Sequence, residues 1–206
     1  GGVTWNNLGV AGPSSVYNIA SQTVTTQYQV IITCTNSSST DTSSVITVTQ
    51  NLPSACYCVP TTGGATTYNI INFTTTGALA NINNTSSGTA NYENFSSMTA
   101  TASPGSSFNY SIDVAGGSNY GRAIWIDFNE DGVFQPSEQV VSSSSYVYPP
   151  LTGTINIPLS TTSGTKRMRI LAAYTPSNPS NPCANTGMGQ YEDYSLNVMP
   201  PVCIYA

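Results

Sequence analysis

The chain has no histidine and four basic residues among its 206. The first absence removes the Ser-His-Asp and Cys-His arrangements of hydrolases and the histidine-containing zinc motifs. The second removes the basic surface that a nucleic acid or an anionic membrane requires. The four are Arg122, Lys166, Arg167 and Arg169, and three fall in the single run TKRMRI. Alternation along a strand puts Arg167 and Arg169 on one side, where a solvated face is expected. No apolar run approaches the roughly 18 residues of a membrane-spanning helix. Charged residues make up 6% of the chain, yet Val, Ile and Tyr recur in short alternating runs, a pattern of strands and not of disorder. No stretch of useful length carries a helical period.

The chain opens GGVTWNNLG, already in strand-and-turn sequence, as expected of a processed precursor or an excised piece. The runs SSVYNIA, QYQVIITCT and SSVITVTQ follow, separated by polar turns such as NSSSTDT. Three or four strands are too few for an Ig-like sandwich, which needs about seven. NLPSACYCVPTTGG then reads as a junction. Beyond it TTYNIINFT, NYENFSSMTATA, SFNYSIDV, GRAIWIDF, EQVVSSSS, GTINIPLS, TKRMRILAAY and QYEDYSLNVM form strands at regular spacing. The expected architecture is all-β with two tandem β-sandwiches. Residues 1–55 form an incomplete Ig-like domain, residues 56–199 a jelly-roll-like sandwich, and residues 200–206 a tail that can act as a donor strand.

The five cysteines, Cys34, Cys56, Cys58, Cys183 and Cys203, are an odd number. Sequence cannot fix their connectivity. Cys58 with Cys183 would tie the start of the second domain to the loop before its last strand. Cys56 with Cys203 is also plausible, and Cys34 sits where a sandwich would pair it to a strand outside this sequence. A zinc reading of CYC lacks both histidine and a second close cysteine pair.

DFNEDGVFQPSE, Asp127 to Glu138, satisfies the full D-x-[DN]-x-[DN]-G-x5-E pattern. Calcium is a hard cation that takes six to eight oxygens, so alternate side chains converge on it while a glycine makes the sharp turn. The expected ligands are Asp127, Asn129, Asp131, the Val133 carbonyl and Glu138, with Gln135 acting through water. A strand precedes the loop, so calcium would staple a β-hairpin and not an EF-hand. The plain alternative is an Asp-Gly turn with exposed acids. A second acidic pair, Glu192 and Asp193, follows in GQYEDYSLNV, and these two stretches hold six of the nine acids. Neighbouring carboxylates repel without a counterion, so Glu192 and Asp193 are weighed as further ligands against a solvated strand start.

AIWIDFNEDGVFQPSEQV, GTKRMRILAAY and GQYEDYSLNV, in that order, resemble the GEVED domain of secreted Bacteroidetes-type proteins. The likeness runs from about Tyr57 to Met199, and the motif that gives the family its name is matched by Gly189 to Asp193, with Gln190 and Tyr191 as departures. The opening segment looks like the second half of the Ig-like repeats that accompany such domains. The resemblance implies an extracellular or cell-surface β-sandwich protein, often repetitive, and no defined reaction.

No enzyme is expected. Asp127 and Glu138 could serve glycoside hydrolysis as a carboxylate pair, but calcium ligation would occupy them. The expected role is a subunit of an extracellular fibre or adhesin that polymerises head to tail by strand complementation and is rigidified by calcium. The alternative is a calcium-stabilised carbohydrate- or protein-binding module of a larger secreted protein. Glycans could attach at Asn36, Asn72, Asn83, Asn84, Asn94 and Asn109, each in an Asn-x-Ser/Thr context.

Overall fold

The computed structural model describes residues 4–8, 16, 18–19, 22, 24–51, 55–60, 68–85, 88, 90–184 and 188–200. The protein is all-β, and among the described residues there is no α-helix. The chain divides into two compact units, Gly1–Asn51 and Leu52–Ala206.

The first unit is built on one irregular hairpin. Its strands are β1 (Thr26–Tyr28), β2 (Ile31–Thr33), β3 (Thr40–Thr42) and β4 (Ile46–Val48). β1 pairs with β4 and β2 with β3, both antiparallel. The two pairs are joined by Ser43 N–H donating to the Val30 carbonyl at 2.8 Å and Val30 N–H donating to Ser43 Oγ at 2.9 Å. β3 arises inside NSSSTDT, expected as a turn, because Cys34 and Ser39 close the chain earlier, with Ser38 at φ 56°. The run SSVYNIA falls largely on residues outside those described.

The second unit is a sandwich of two sheets. β5 (Ile70–Thr76), β6 (Asn83–Asn84), β7 (Tyr92–Ala102), β8 (Ser107–Val114), β9 (Gly121–Ile126), β10 (Gln139–Ser142), β11 (Leu151–Asn156), β12 (Gly164–Ala173) and β13 (Gly189–Val198) follow in chain order. One sheet has the order β10-β9-β12-β13-β7 and the other β11-β8-β5-β6. The fold departs from a purely antiparallel jelly roll at one pair, because β13 runs parallel to β7. Parallel neighbours need a long crossover, and here the strands between β7 and β13 supply it.

Strict alternation fills the space between the sheets. In β8, Phe108, Tyr110, Ile112 and Val114 point inward while Ser107, Asn109, Ser111 and Asp113 point out. Phe73 of β5 meets Tyr194 of β13 across the gap, ring centroids 4.7 Å apart. Each such buried side chain contributes about 1.5–3 kcal/mol.

The central strands β9, β12 and β13 are buried on both faces. Their outer face carries a second, smaller cluster of Ala123, Trp125, Phe134, Leu171, Ala173 and Tyr191, against which Tyr57 and Tyr92 pack. Arg169 lies on that covered face at 0% exposure, which corrects the expectation that Arg167 and Arg169 form a solvated face. The covering chain is tied down by a disulfide between Cys58 and Cys183, whose Cα atoms lie 5.9 Å apart. Cys34 is an exposed free thiol. Cys203 lies outside the described residues, so the Cys56–Cys203 pairing does too.

Candidate functional site

The Asp127–Glu138 loop leaves the end of β9 and returns through a 3-10 turn at Pro136–Glu138 into β10. Gly132 sits at φ 82°, in the left-handed region that glycine enters without a Cβ penalty. Glu130 also has a positive φ, 61°.

Asp127, Asn129, Asp131 and Glu138 each accept backbone N–H groups of the loop. Asp127 is wholly buried; Oδ1 accepts Glu130 N–H at 2.7 Å, and Oδ2 accepts Gly132 N–H at 3.0 Å and the Tyr57 hydroxyl at 2.6 Å. Asn129 Oδ1 accepts Asp131 N–H, and its amide donates to Asp131 Oδ2 at 3.0 Å. Asp131 Oδ1 accepts Val133 N–H, and Gln135 Nε2 donates to Oδ2 at 2.6 Å. Glu138 reaches back across the loop, Oε1 taking Phe128 N–H at 2.9 Å and Oε2 taking Gln135 N–H at 3.0 Å. Burial pushes the Glu138 carboxyl up from its usual range, the backbone donors oppose this, and the Asp127 charge adds to it.

The donor chemistry suits calcium: the loop offers oxygen ligands at alternating positions and no nitrogen or sulfur base. Charge points the same way, since among the described residues Asp127, Asp131 and Glu138 take part in no salt bridge. The side chains are not gathered on one point, however; among the described residues no three acids form a metal-holding group. Gathering them requires rotation of Asn129 and Asp131, both exposed.

Glu192 and Asp193 sit apart from this loop. Adjacent strand residues face opposite ways, and they do so here. Asp193 faces the outer layer, where Arg169 donates Nε to Oδ1 at 2.7 Å and Nη2 to Oδ2 at 2.9 Å. Arg167 Nη1 adds a contact at 3.3 Å and the Tyr92 hydroxyl one at 2.9 Å. The counterion of Asp193 is therefore arginine, which corrects its reading as a further calcium ligand. Glu192 faces the inter-sheet core, accepting the Tyr194 hydroxyl at 2.6 Å, while Asn84 Nδ2 donates to that same hydroxyl oxygen at 2.8 Å.

The rest of the motif works on packing. Gly189 lies so close to β12 that a Cβ would meet the Ala172 carbonyl oxygen at 2.6 Å. Gln190 is buried and ties three elements, its Oε1 accepting Ile70 N–H at 2.6 Å and its Nε2 donating to the Ala90 carbonyl at 2.7 Å. The Tyr191 hydroxyl donates to the Asn181 carbonyl at 3.0 Å.

Residues 121–197 match the GEVED domain. The GEVED match covers β9 to β13, and with them the loop, the buried Arg169 and the Gly189–Asp193 motif. It leaves β5 to β8 and the first unit outside. No curated protein and no solved structure matches the chain at significance.

Sequence reasoning missed the reach of the covering chain. Tyr57 stacks near Phe134, centroids 5.0 Å apart, and carries the Arg167 guanidinium over its ring at 4.9 Å. Arg169 lies over Phe134 at 4.8 Å and Tyr92 at 5.3 Å. The available signal was chemical: two arginines facing one way on a strand otherwise rich in Met, Ile, Leu and Ala. Lys166 was missed as well, being wholly buried with Nζ on Glu130 Oε1 at 2.5 Å and Thr162 Oγ1 at 2.9 Å.

The expected glycan acceptors differ in access. Asn36, Asn83, Asn94 and Asn109 are exposed and Asn72 is half-buried. Asn84 is buried with its amide bonded to Tyr194, which leaves no room for a glycan there. Among the described residues no helix is long and apolar enough to cross a membrane.

Proposed function

We propose that the protein is an extracellular structural subunit that polymerises head to tail, a strand from one copy completing the open hairpin of the next. One observation carries this reading. The hairpin of the first unit has large apolar side chains exposed on both faces, Ile31 at 58%, Ile32 at 68% and Ile46 at 64%. A two-stranded hairpin is marginal in water and needs further strands over an apolar face. Unpaired strand edges recruit such strands, with main-chain bonds supplying affinity and alternate side chains filling pockets.

The occupant we assign is the tail of a neighbouring copy. Residues 201–206 lie outside those described, and their sequence, VCIYA after Pro201, alternates Val202 and Ile204 with Cys203 and Tyr205. A head-to-tail contact whose rotation does not close into a ring grows a filament. In an oxidising extracellular setting the thiols of Cys203 and of the neighbour's exposed Cys34 would then join as a disulfide, their two electrons and two protons passing to an external thiol oxidant.

Calcium enters this reading as a mechanical part. Asp127, Asn129, Asp131, the Val133 carbonyl and Glu138 would hold it, and its positive charge would offset the loop's unpaired carboxylates. The reading assigns no reaction, and the disulfide and GEVED domain support an extracellular setting.

Electron microscopy of the native protein in calcium buffer tests it. Regular fibres are expected, and Ile32→Lys or Ile46→Lys should abolish them while the second unit melts unchanged. Monodisperse particles under every condition would overturn the filament.

A further inference from the structure

At one end of the sandwich the segments 115–120, 143–150 and 174–178 surround a groove of about 300 Å³. Ser118, Asn119, Tyr146, Tyr174 and Thr175 line it, and none of them carries a charge. Tyr146 is 44% exposed. The aromatic wall is held in place from behind. Tyr174 stacks on Tyr68, centroids 4.9 Å apart and 11° between planes, and Tyr120 meets the two edge-on at 6.1 and 6.4 Å. Tyr120 is in turn fixed by two backbone bonds to Val147, at 2.8 and 2.9 Å, which brings the Tyr146 segment to the same rim.

Three ligand classes can be weighed against this lining. A phosphate or carboxylate needs a cation or clustered backbone donors, and the lining offers no basic side chain. A wholly apolar ligand would bury the polar groups of Ser118, Asn119 and Thr175 without partners, which is costly. A sugar has both faces of the required chemistry: a C–H face that lies on an aromatic ring and a rim of neutral hydroxyls. The serine and threonine hydroxyls and the asparagine amide can each donate and accept. Among the described residues those three side chains make no hydrogen bond, so their capacity is available to a ligand. The volume is at the small end of ligand pockets, about 300–1,000 Å³, and suits a short saccharide.

We propose that this groove binds a neutral saccharide, stacked on Tyr146 and Tyr174 and hydrogen-bonded by Asn119. The site is uncharged and lies on residues that neither the loop nor the hairpin uses, so it stands whether or not the protein polymerises.

The test is saturation-transfer NMR and titration calorimetry of the full chain with cellotriose, maltotriose, mannotriose and N,N′-diacetylchitobiose. At least one should bind. Tyr146→Ala and Asn119→Ala should weaken it at least about tenfold, a loss of about 1.4 kcal/mol, while Tyr146→Phe keeps the stacking face and the affinity. Both positions are exposed, so matching melting curves will separate lost binding from lost fold. Leu159→Ser, at an exposed position outside the groove, should change nothing. Absence of transfer to all four sugars would overturn the proposal, as would binding indifferent to Tyr146→Ala. So would a decaproline peptide that binds with the same dependence on Tyr146 while no sugar does, since tyrosine grooves also take extended proline helices.

Discussion

Arg169 holds Asp193 through two hydrogen bonds, at 2.7 and 2.9 Å, with both side chains wholly removed from water. The remaining terminal nitrogen donates to the Pro182 carbonyl at 2.9 Å and approaches Cys58 Sγ at 3.2 Å. One guanidinium therefore joins β12, β13 and both arms of the disulfide strap. Removing Asp193 leaves a buried cation without its partner, a change that costs about 3–5 kcal/mol in such pairs. Asp193→Ala should lose that much in urea unfolding of the second unit. Arg169→Met with Asp193→Leu should recover most of it, because the face is apolar around them. A loss below about 1 kcal/mol for Asp193→Ala would show the pair to be solvated.

The disulfide closes a long segment, the two cysteines being 125 positions apart. Chain entropy alone gives a loop of that length about 5 kcal/mol. Reduction should therefore lower the melting temperature by roughly 10–20 °C for a domain of this size. It should also loosen Tyr57, next in sequence to Cys58, from its bond to Asp127. Melts with and without dithiothreitol check this, and coincident curves would mean that packing alone holds the strap.

Much of this architecture was legible in the sequence, because alternation is a local signal. SFNYSIDV reads directly as β8, and the ten-residue runs of β12 and β13 are legible to within a residue. The pattern could not show what lies over a face. Arg167 and Arg169 alternate with Met168 and Ile170 as a solvated strand would, and the residues that cover them, Tyr57, Tyr92 and Phe134, come from three separate stretches of the chain. The spacing of Asp127, Asn129, Asp131, Gly132 and Glu138 was likewise plain, since a loop carries its polar side chains in one stretch. The destination of Asp193 was not, because its partner is set by strand register, Arg169 against Asp193. β3 was hidden in polar sequence for a related reason: Thr40, Asp41 and Thr42 pair because the turn before them dictates it.

Calcium should stabilise the second unit. A ligand at a hundredfold its dissociation constant adds about 2.7 kcal/mol, a rise of roughly 5–10 °C here. EGTA should reverse the gain. Asp131→Asn removes a carboxylate that is exposed and outside the core, so it should abolish the calcium response while leaving the calcium-free melt within a few degrees. Differential scanning calorimetry reads both. A melt indifferent to calcium and EGTA would leave the loop as a hydrogen-bonded Asp-Gly turn.

Alkaline pH should unfold the second unit through its tyrosines. Burial is the largest cause pushing the Tyr92 and Tyr191 hydroxyls up to about 12, and for Tyr92 the neighbouring Asp193 charge adds to it. Tyr57 and Tyr194 move in the same direction, again chiefly by burial, with Asp127 and Glu192 as their respective carboxylate neighbours. A tyrosine protonated in the native state and ionised in the unfolded one favours folding fully below the unfolded value of about 10. That contribution is lost as pH rises through the folded value, because over the interval the unfolded chain binds fewer protons. Stability should hold level to about pH 9.5 and fall between about 10 and 12. Phenolate absorbance should show a late phase, from the buried set, that coincides with loss of circular dichroism. Titration of every tyrosine near pH 10 in a chain that keeps its β spectrum would show these hydroxyls to be in contact with water.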